Sequence, residues 1–138
     1  NAIYEIQHAV GMNNHQGSLF TSDPIGMMVV ASELRNNEMY YLDSLTSPNS
    51  VGYAVMKNFG VPVVVRDVFL DSVNEVDYIK NQVYKLADLS DIKGYAIGVG
   101  HARANTLVAL QETIVYLKEI GYKFVFISDV VELTESYK

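Results

Sequence analysis

Gly11-Met12-Asn13-Asn14-His15-Gln16-Gly17-Ser18 is the stretch whose reading decides the fold. An apolar approach, Val10 to Met12, runs straight into two carboxamides, an imidazole and a Gly-Ser turn. Burying that cluster without partners would cost about 1–3 kcal/mol for each donor or acceptor left unpaired. A strand that stops there, with its polar end facing a cleft, avoids the penalty. Four later apolar runs end in the same way. Met39 to Leu42 meets Asp43-Ser44, Val61 to Val65 meets Arg66-Asp67, Tyr95 to Val99 meets Gly100-His101, and Lys123 to Ile127 meets Ser128-Asp129.

Helical patterns fill the intervals. Asp23-Pro24 is an N-cap acceptor followed by proline at the first helical position. The helix it opens carries Ile25, Met28, Val29 and Leu34 and ends at Asn36-Asn37. Ser47-Pro48 opens a second helix, with Val51, Ala54, Val55 and Phe59 inward and Gly60 as the C′ residue. Ser72-Val73-Asn74-Glu75 has capping-box spacing and starts a third, to about Leu89, with Val76, Ile79, Val83 and Leu86 on one face. Asn105 or Thr106 caps a fourth, which carries Leu107, Leu110, Ile114, Val115 and Leu117 and stops at Gly121. Residues 1–9 read as a helical turn or two through Ile3, Ile6 and Ala9. Strands alternating with helices across short connections predict an α/β fold built on a parallel sheet or barrel. The run Val61 to Val65, Pro62 included, suits a strand buried on both faces.

At 138 residues the chain suffices for a single domain, 1–138, with one sizeable core. Apolar residues at 49% and charged residues at 19% exclude disorder. A net charge of −6 leaves no basic stripe to neutralise phosphates, which argues against a nucleic-acid partner. The absence of cysteine excludes disulfides and thiolate metal sites and is compatible with an oxidising compartment. No apolar run approaches the roughly 18 residues of a membrane span. The chain opens on Asn1 without a signal segment, as expected of a mature or trimmed product with a segment upstream.

In parallel α/β folds, ligands sit at the carboxyl ends of the strands. Those ends carry Asn13, Asn14 and His15; Asp43 and Ser44; Arg66 and Asp67; His101 and Arg103; Ser128 and Asp129. Two imidazoles, several carboxylates and an arginine are sufficient for a hydrolytic metal site. Neutral imidazoles with a carboxylate suit zinc, whose open position holds a water of lowered pKa. An adjacent Asp would act as base, and an Arg would orient that Asp or stabilise an oxyanion. Each residue also has a plainer reading. His15 would satisfy turn backbone, His101 would enter a helix, Asp43 would form a turn, and Arg66-Asp67 would be an ion pair worth little if exposed. Ser128-Asp129 reads as a turn or cap, His8 as surface, and Met27 and Met28 as core filler. Ser18, Ser44 and Ser128 lie in no G-x-S-x-G elbow. Gly98-Val99-Gly100 lacks the third glycine of a dinucleotide fingerprint.

Taken together, Gly11 to Ser18, Phe20-Thr21, Leu42-Asp43-Ser44, Arg66-Asp-Val-Phe-Leu-Asp71 and Ile97-Gly-Val-Gly-His101 resemble the divergent polysaccharide deacetylase family in order and spacing. The resemblance covers nearly the whole chain. It implies an incomplete (β/α)7-type barrel whose first strand, with paired aspartates, lies upstream of Asn1. It also implies metal-dependent removal of acetyl groups from N-acetylated sugars by a metal-bound water. The implied metal is divalent, zinc by expectation, and is contacted by His15 and an upstream Asp. His101 is then either the next ligand or the acid that protonates the leaving amine. Asp43 and Asp67 would line the catalytic cleft, with Arg66 orienting a carboxylate. Asn13, Asn14, Ser18 and Ser44 would hold the loop or touch a sugar. The implied partner is a polysaccharide or N-acetylated oligosaccharide, and the implied location is the periplasm or cell envelope. In two places the chain departs from the pattern: Leu19 stands where the superfamily has a second histidine, and the aspartate pair has no counterpart. They keep open a non-catalytic envelope protein that binds glycan or a partner protein. A self-contained flavodoxin-like binding domain is a third reading.

Overall fold

The computed structural model describes residues 5, 6, 8–15 and 17–136. Ile3, expected on the opening turn, and Gln16, in the deciding stretch, lie outside the described residues. The described chain is α/β, with parallel strands alternating with helices and no closed barrel among the described residues. It falls into two compact units, residues 1–65 with 126–138, and residues 66–125.

In the first unit, β1 (Gly11–Asn13), β2 (Tyr40–Asp43) and β3 (Val63–Val65) form one parallel sheet in the order β1-β2-β3. The register sets Asn13 beside Leu42 and Asp43 beside Val65, so β2 ends level with β3 and one residue beyond β1. Gly11 is required by this pairing: a Cβ there would stand 2.2 Å from the Tyr40 ring. Helix α1 (Pro24–Asn36) begins as the sequence predicts, with the Asp23 carboxylate accepting from the Ile25 and Gly26 amides at 3.0 and 3.1 Å. Its buried face differs from the expected one. Met27, Ala31 and Leu34 are buried, whereas Ile25, Met28 and Val29 are exposed. Both stripes are apolar at helical spacing, and the stripe containing the small Ala31 is the one that packs into the core.

Helix α2 (Gly52–Asn58) starts later than Ser47-Pro48 predicted. Ser47 instead closes a turn, accepting from the Asn49 amide on its hydroxyl and from the Ser50 amide on its carbonyl. The acceptor at the helix start is Asp43, which takes the Tyr53 amide at 3.3 Å and the Ser50 hydroxyl at 2.9 Å. Gly52 makes room for it: a Cβ there would lie 2.7 Å from Asp43 Oδ2. Gly52→Ala is therefore expected to destabilise the protein by about 1–3 kcal/mol in chemical denaturation. An unchanged midpoint would show that the carboxylate moves aside freely. Gly60 follows α2 with φ +71°, in the C′ role expected of it.

Lys123 to Ile127, expected as a fifth sheet strand, is irregular up to Phe126, and α5 (Ile127–Ser136) begins immediately after it. The Phe126 amide, which a sheet ladder would need, donates to Asp129 Oδ2 at 2.9 Å. Ser128 and Asp129 thus open a helix, in keeping with the plainer reading of a cap, and α5 packs beside β3.

In the second unit, β4 (Val68–Phe69) pairs in parallel with β5 (Gly98–Val99). The expected strand from Tyr95 is trimmed to two residues. Helix α3 (Val76–Lys93) packs on α4 (Ala104–Glu119), burying Ile79, Val83, Ala109 and Leu117 with Val68 and Leu70. The capping box is absent: Glu75 is the N-cap, with no side-chain cap bond, while the Ser72 hydroxyl meets Tyr78 Oη at 2.8 Å. In α4 the buried stripe is Thr106, Ala109, Thr113 and Leu117, and the expected Leu107 and Val115 face solvent. Thr113 is tolerated there because its hydroxyl donates to the Ala109 carbonyl at 2.7 Å.

Candidate functional site

The ends of β1 and β2 form the first cluster. Asn14 is buried, and its Oδ1 accepts from the Ser44 amide at 2.7 Å while its Nδ2 donates to the Thr46 hydroxyl at 3.2 Å. Asn13 Nδ2 donates to Ser44 Oγ at 3.3 Å. The two carboxamides therefore stitch the loop after β1 to the loop after β2. Asp43 is fully buried, and both its oxygens serve its own loop. Oδ1 accepts from the Leu45 amide at 2.9 Å, and Oδ2 takes the two donors at the start of α2. Leu45 is held at φ +46°, an unusual conformation for a branched residue. Neighbouring Tyr41 has its hydroxyl pushed well above its ordinary range by burial, and then by the charge of Asp43. The carbonyl of Ser18 accepts from the Ser22 hydroxyl at 2.8 Å, anchoring the turn ahead of α1, while the Ser18 and His15 side chains are exposed.

The ends of β4 and β5 form the second cluster. Its centre is Asp71, a residue quoted in the resemblance but absent from the expected catalytic set. Asp71 is fully buried. Its Oδ1 meets His101 Nδ1 at 3.0 Å, and its Oδ2 accepts from the His101 amide and the Thr106 hydroxyl, each at 2.8 Å. The Phe69 ring packs edge-on against the imidazole with centroids 5.5 Å apart, and the Arg66 guanidinium lies over Phe69 at 5.4 Å. Arg103 Nη1 donates to the Asp71 carbonyl at 3.3 Å. Asp67 takes another part. Its Oδ2 accepts from the Ile97 amide at 2.8 Å and its Oδ1 pairs with Lys93, tying the entry of β4 to the end of α3 and the approach to β5.

Burial works to raise the Asp71 pKa. The His101 amide, the Thr106 hydroxyl and the His101 ring outweigh it, so the group titrates below its ordinary 3.8. A depressed carboxylate stabilises the fold above its unfolded pKa, and this contribution is lost as pH falls through the folded one. Wild type should therefore be more stable than Asp71→Asn at neutral pH, with the gap in melting temperature closing as pH drops below 3.8. A gap that stays constant to the acid limit would contradict this.

A single strand at Val61 to Val65 leaves Asp71 outside the strand ends that the sequence points to. Val68-Phe69-Leu70 is a second apolar run ending in a carboxylate, and the strand-end rule applied to it finds Asp71. Thr106 was expected as a helix cap, but Arg103 holds that position. Asn105, the other expected cap, donates to the Asn74 carbonyl at 2.9 Å. Among the described residues no three His, Asp or Glu side chains are grouped so as to hold a metal ion. No described helix is long and apolar enough to cross a membrane.

The chain is similar to uncharacterized proteins of known sequence. YibQ of Escherichia coli (strain K12) is 39% identical over 114 residues, covering 82% of this chain and 35% of that protein. A Haemophilus influenzae protein is 37% identical over 106 residues, covering 77% of this chain and 38% of its own length. The chain thus spans little more than a third of these curated relatives. Its fold matches the crystal structure of the uncharacterized protein ATU2773 from Agrobacterium tumefaciens C58. The TM-score is 0.85 at 22% identity, over 88% of this chain and 49% of that one. The sequence profile of the divergent polysaccharide deacetylases matches residues 1–131. The chain belongs to the divergent polysaccharide deacetylase family.

Proposed function

We propose that the protein carrying this chain removes acetyl groups from an N-acetylated polysaccharide or oligosaccharide. In this reading His101 is the acid that protonates the leaving amine. The supporting observation is the Asp71–His101 pair. A buried carboxylate at 3.0 Å from Nδ1 favours the tautomer with its proton on that nitrogen, and it directs Nε2 away from the carboxylate. The same carboxylate offsets the charge that the ring takes on with a second proton. Asn13, Asn14 and Ser44 keep the loops after β1 and β2 in register, and Ser18 would touch the sugar. Arg66 orients the neighbouring aromatic ring. Family membership and the lack of cysteine support a location at the cell envelope.

A divalent metal, zinc by preference, belongs to this proposal with His15 as its donor from this chain. The step that the described residues support by contact is the proton transfer at His101. A second reading, a glycan- or protein-binding role without turnover, is favoured by Leu19. It occupies the position of a second imidazole and is 88% exposed. Elemental analysis of the full-length protein after dialysis separates the two. About one divalent ion per chain, lost in a folded His15→Ala variant, is expected for the deacetylase. A well-folded protein free of metal would favour the binding role.

A further inference from the structure

We infer that Thr106 is a positioning residue for the Asp71–His101 pair, an inference that rests on the reading of that pair as the proton-transfer unit. Thr106 stands at the third position of α4, fully inside the unit, with its hydroxyl 2.8 Å from Asp71 Oδ2. The same oxygen accepts the His101 amide, and its partner Oδ1 faces the imidazole. Asp71 therefore needs one rotamer to make both contacts with residue 101. Among the described residues, Thr106 is the donor to that carboxylate from outside residue 101. Without it, Asp71 Oδ2 would keep the His101 amide alone, and the carboxylate would be freer to turn.

The packing is fitted to this role. Gly100 lies between the two elements, and a Cβ there would already sit 3.4 Å from the Thr106 methyl and 3.6 Å from Asp71 Cγ. A β-branched hydroxyl meets both requirements, since the methyl fills the space beside Gly100 while Oγ1 reaches the carboxylate. The amphipathic pattern of α4 fails to reveal this, because the residue is polar on a buried face. The buried hydroxyl is explained by its acceptor, as an unpaired one would be costly.

The test uses the full-length protein labelled with ¹⁵N at histidine, with the His101 signals assigned by their loss in His101→Gln. At alkaline pH, where the ring is neutral, its nitrogen shifts report the tautomer, and hydrogen exchange reports the His101 amide. Thr106→Val is expected to lose the predominance of the Nδ1–H tautomer and to speed amide exchange about five- to tenfold, the worth of one hydrogen bond. Thr106→Ser, which keeps the donor, is expected to match wild type in both. A folded Thr106→Val with wild-type tautomer and exchange would overturn the inference, as would a Thr106→Ser that behaves like Thr106→Val. Should Thr106→Val fail to fold, Thr106→Ala removes the same donor without crowding and is read by the same outcomes. No substrate is involved. A wild-type protein that releases no acetate would count against the deacetylase reading while leaving this result standing.

Discussion

Asp43→Ala is expected to cost about 2–4 kcal/mol of stability, among the largest effects of any single truncation in the chain. The carboxylate is fully buried and accepts from the Leu45 amide, the Ser50 hydroxyl and the Tyr53 amide. Truncation leaves three donors without their acceptor and frees Leu45 from the left-handed conformation that the first bond maintains. Asp43→Asn keeps one acceptor oxygen and should fall between the two. Urea denaturation of the full-length protein reads the effect as a lower midpoint at unchanged slope. A loss below about 1 kcal/mol would mean that the loop after β2 is held by other contacts and that Asp43 is available for another task.

His101→Ala should remove activity at a moderate cost in stability, about 1–3 kcal/mol. The buried Asp71 carboxylate loses the ring but keeps the residue 101 amide and the Thr106 hydroxyl, so the fold is expected to persist. A positioned general acid contributes roughly 10²–10⁴-fold, and acetate release should fall by that factor. Asp71→Asn should also slow the reaction through a different failure. A neutral carboxamide does not offset the charge that the ring takes on with its second proton, so the form that donates from Nε2 to the leaving amine is disfavoured. A His101→Ala protein with wild-type turnover would remove this residue from the mechanism.

Much of the fold is legible in the sequence wherever a local rule also describes the tertiary contact. Asp23-Pro24 caps α1 because capping depends only on neighbours in the chain, and Gly60 takes its positive φ for the same reason. The parallel direction of the strands follows from their alternation with helices. The errors fall where a distant partner outbids a nearby one. Ser47 and Ser72 have the right spacing to cap helices, but Asp43 arrives from β2 to serve α2, and Tyr78 engages Ser72. Lys123 to Ile127 has the composition of a strand, yet Asp129 takes the amide that a neighbouring strand would need. Ile25 and Val29 are as apolar as the residues that α1 buries, so periodicity defines the stripes without choosing between them.

The candidate site was legible in part for a related reason. His101 and Asp43 stand out as polar residues that end apolar runs, a pattern that does not tell an exposed group from one whose oxygens are already committed. Asp43 and Asp71 illustrate the difference, since both are buried carboxylates at strand ends. The first serves the backbone of its own loop, and the second holds an imidazole. Only the contacts separate them.

The most direct measurement is acetate release from N-acetylated chito-oligosaccharides by the full-length protein, run beside His101→Ala at equal concentration with folding checked for both. The account predicts acetate and free amine in equal amounts from wild type, and a loss of about 10²–10⁴-fold in the variant. Release by neither protein, from a folded wild type that still binds the oligosaccharide, would contradict it and identify a glycan-binding protein on a deacetylase fold.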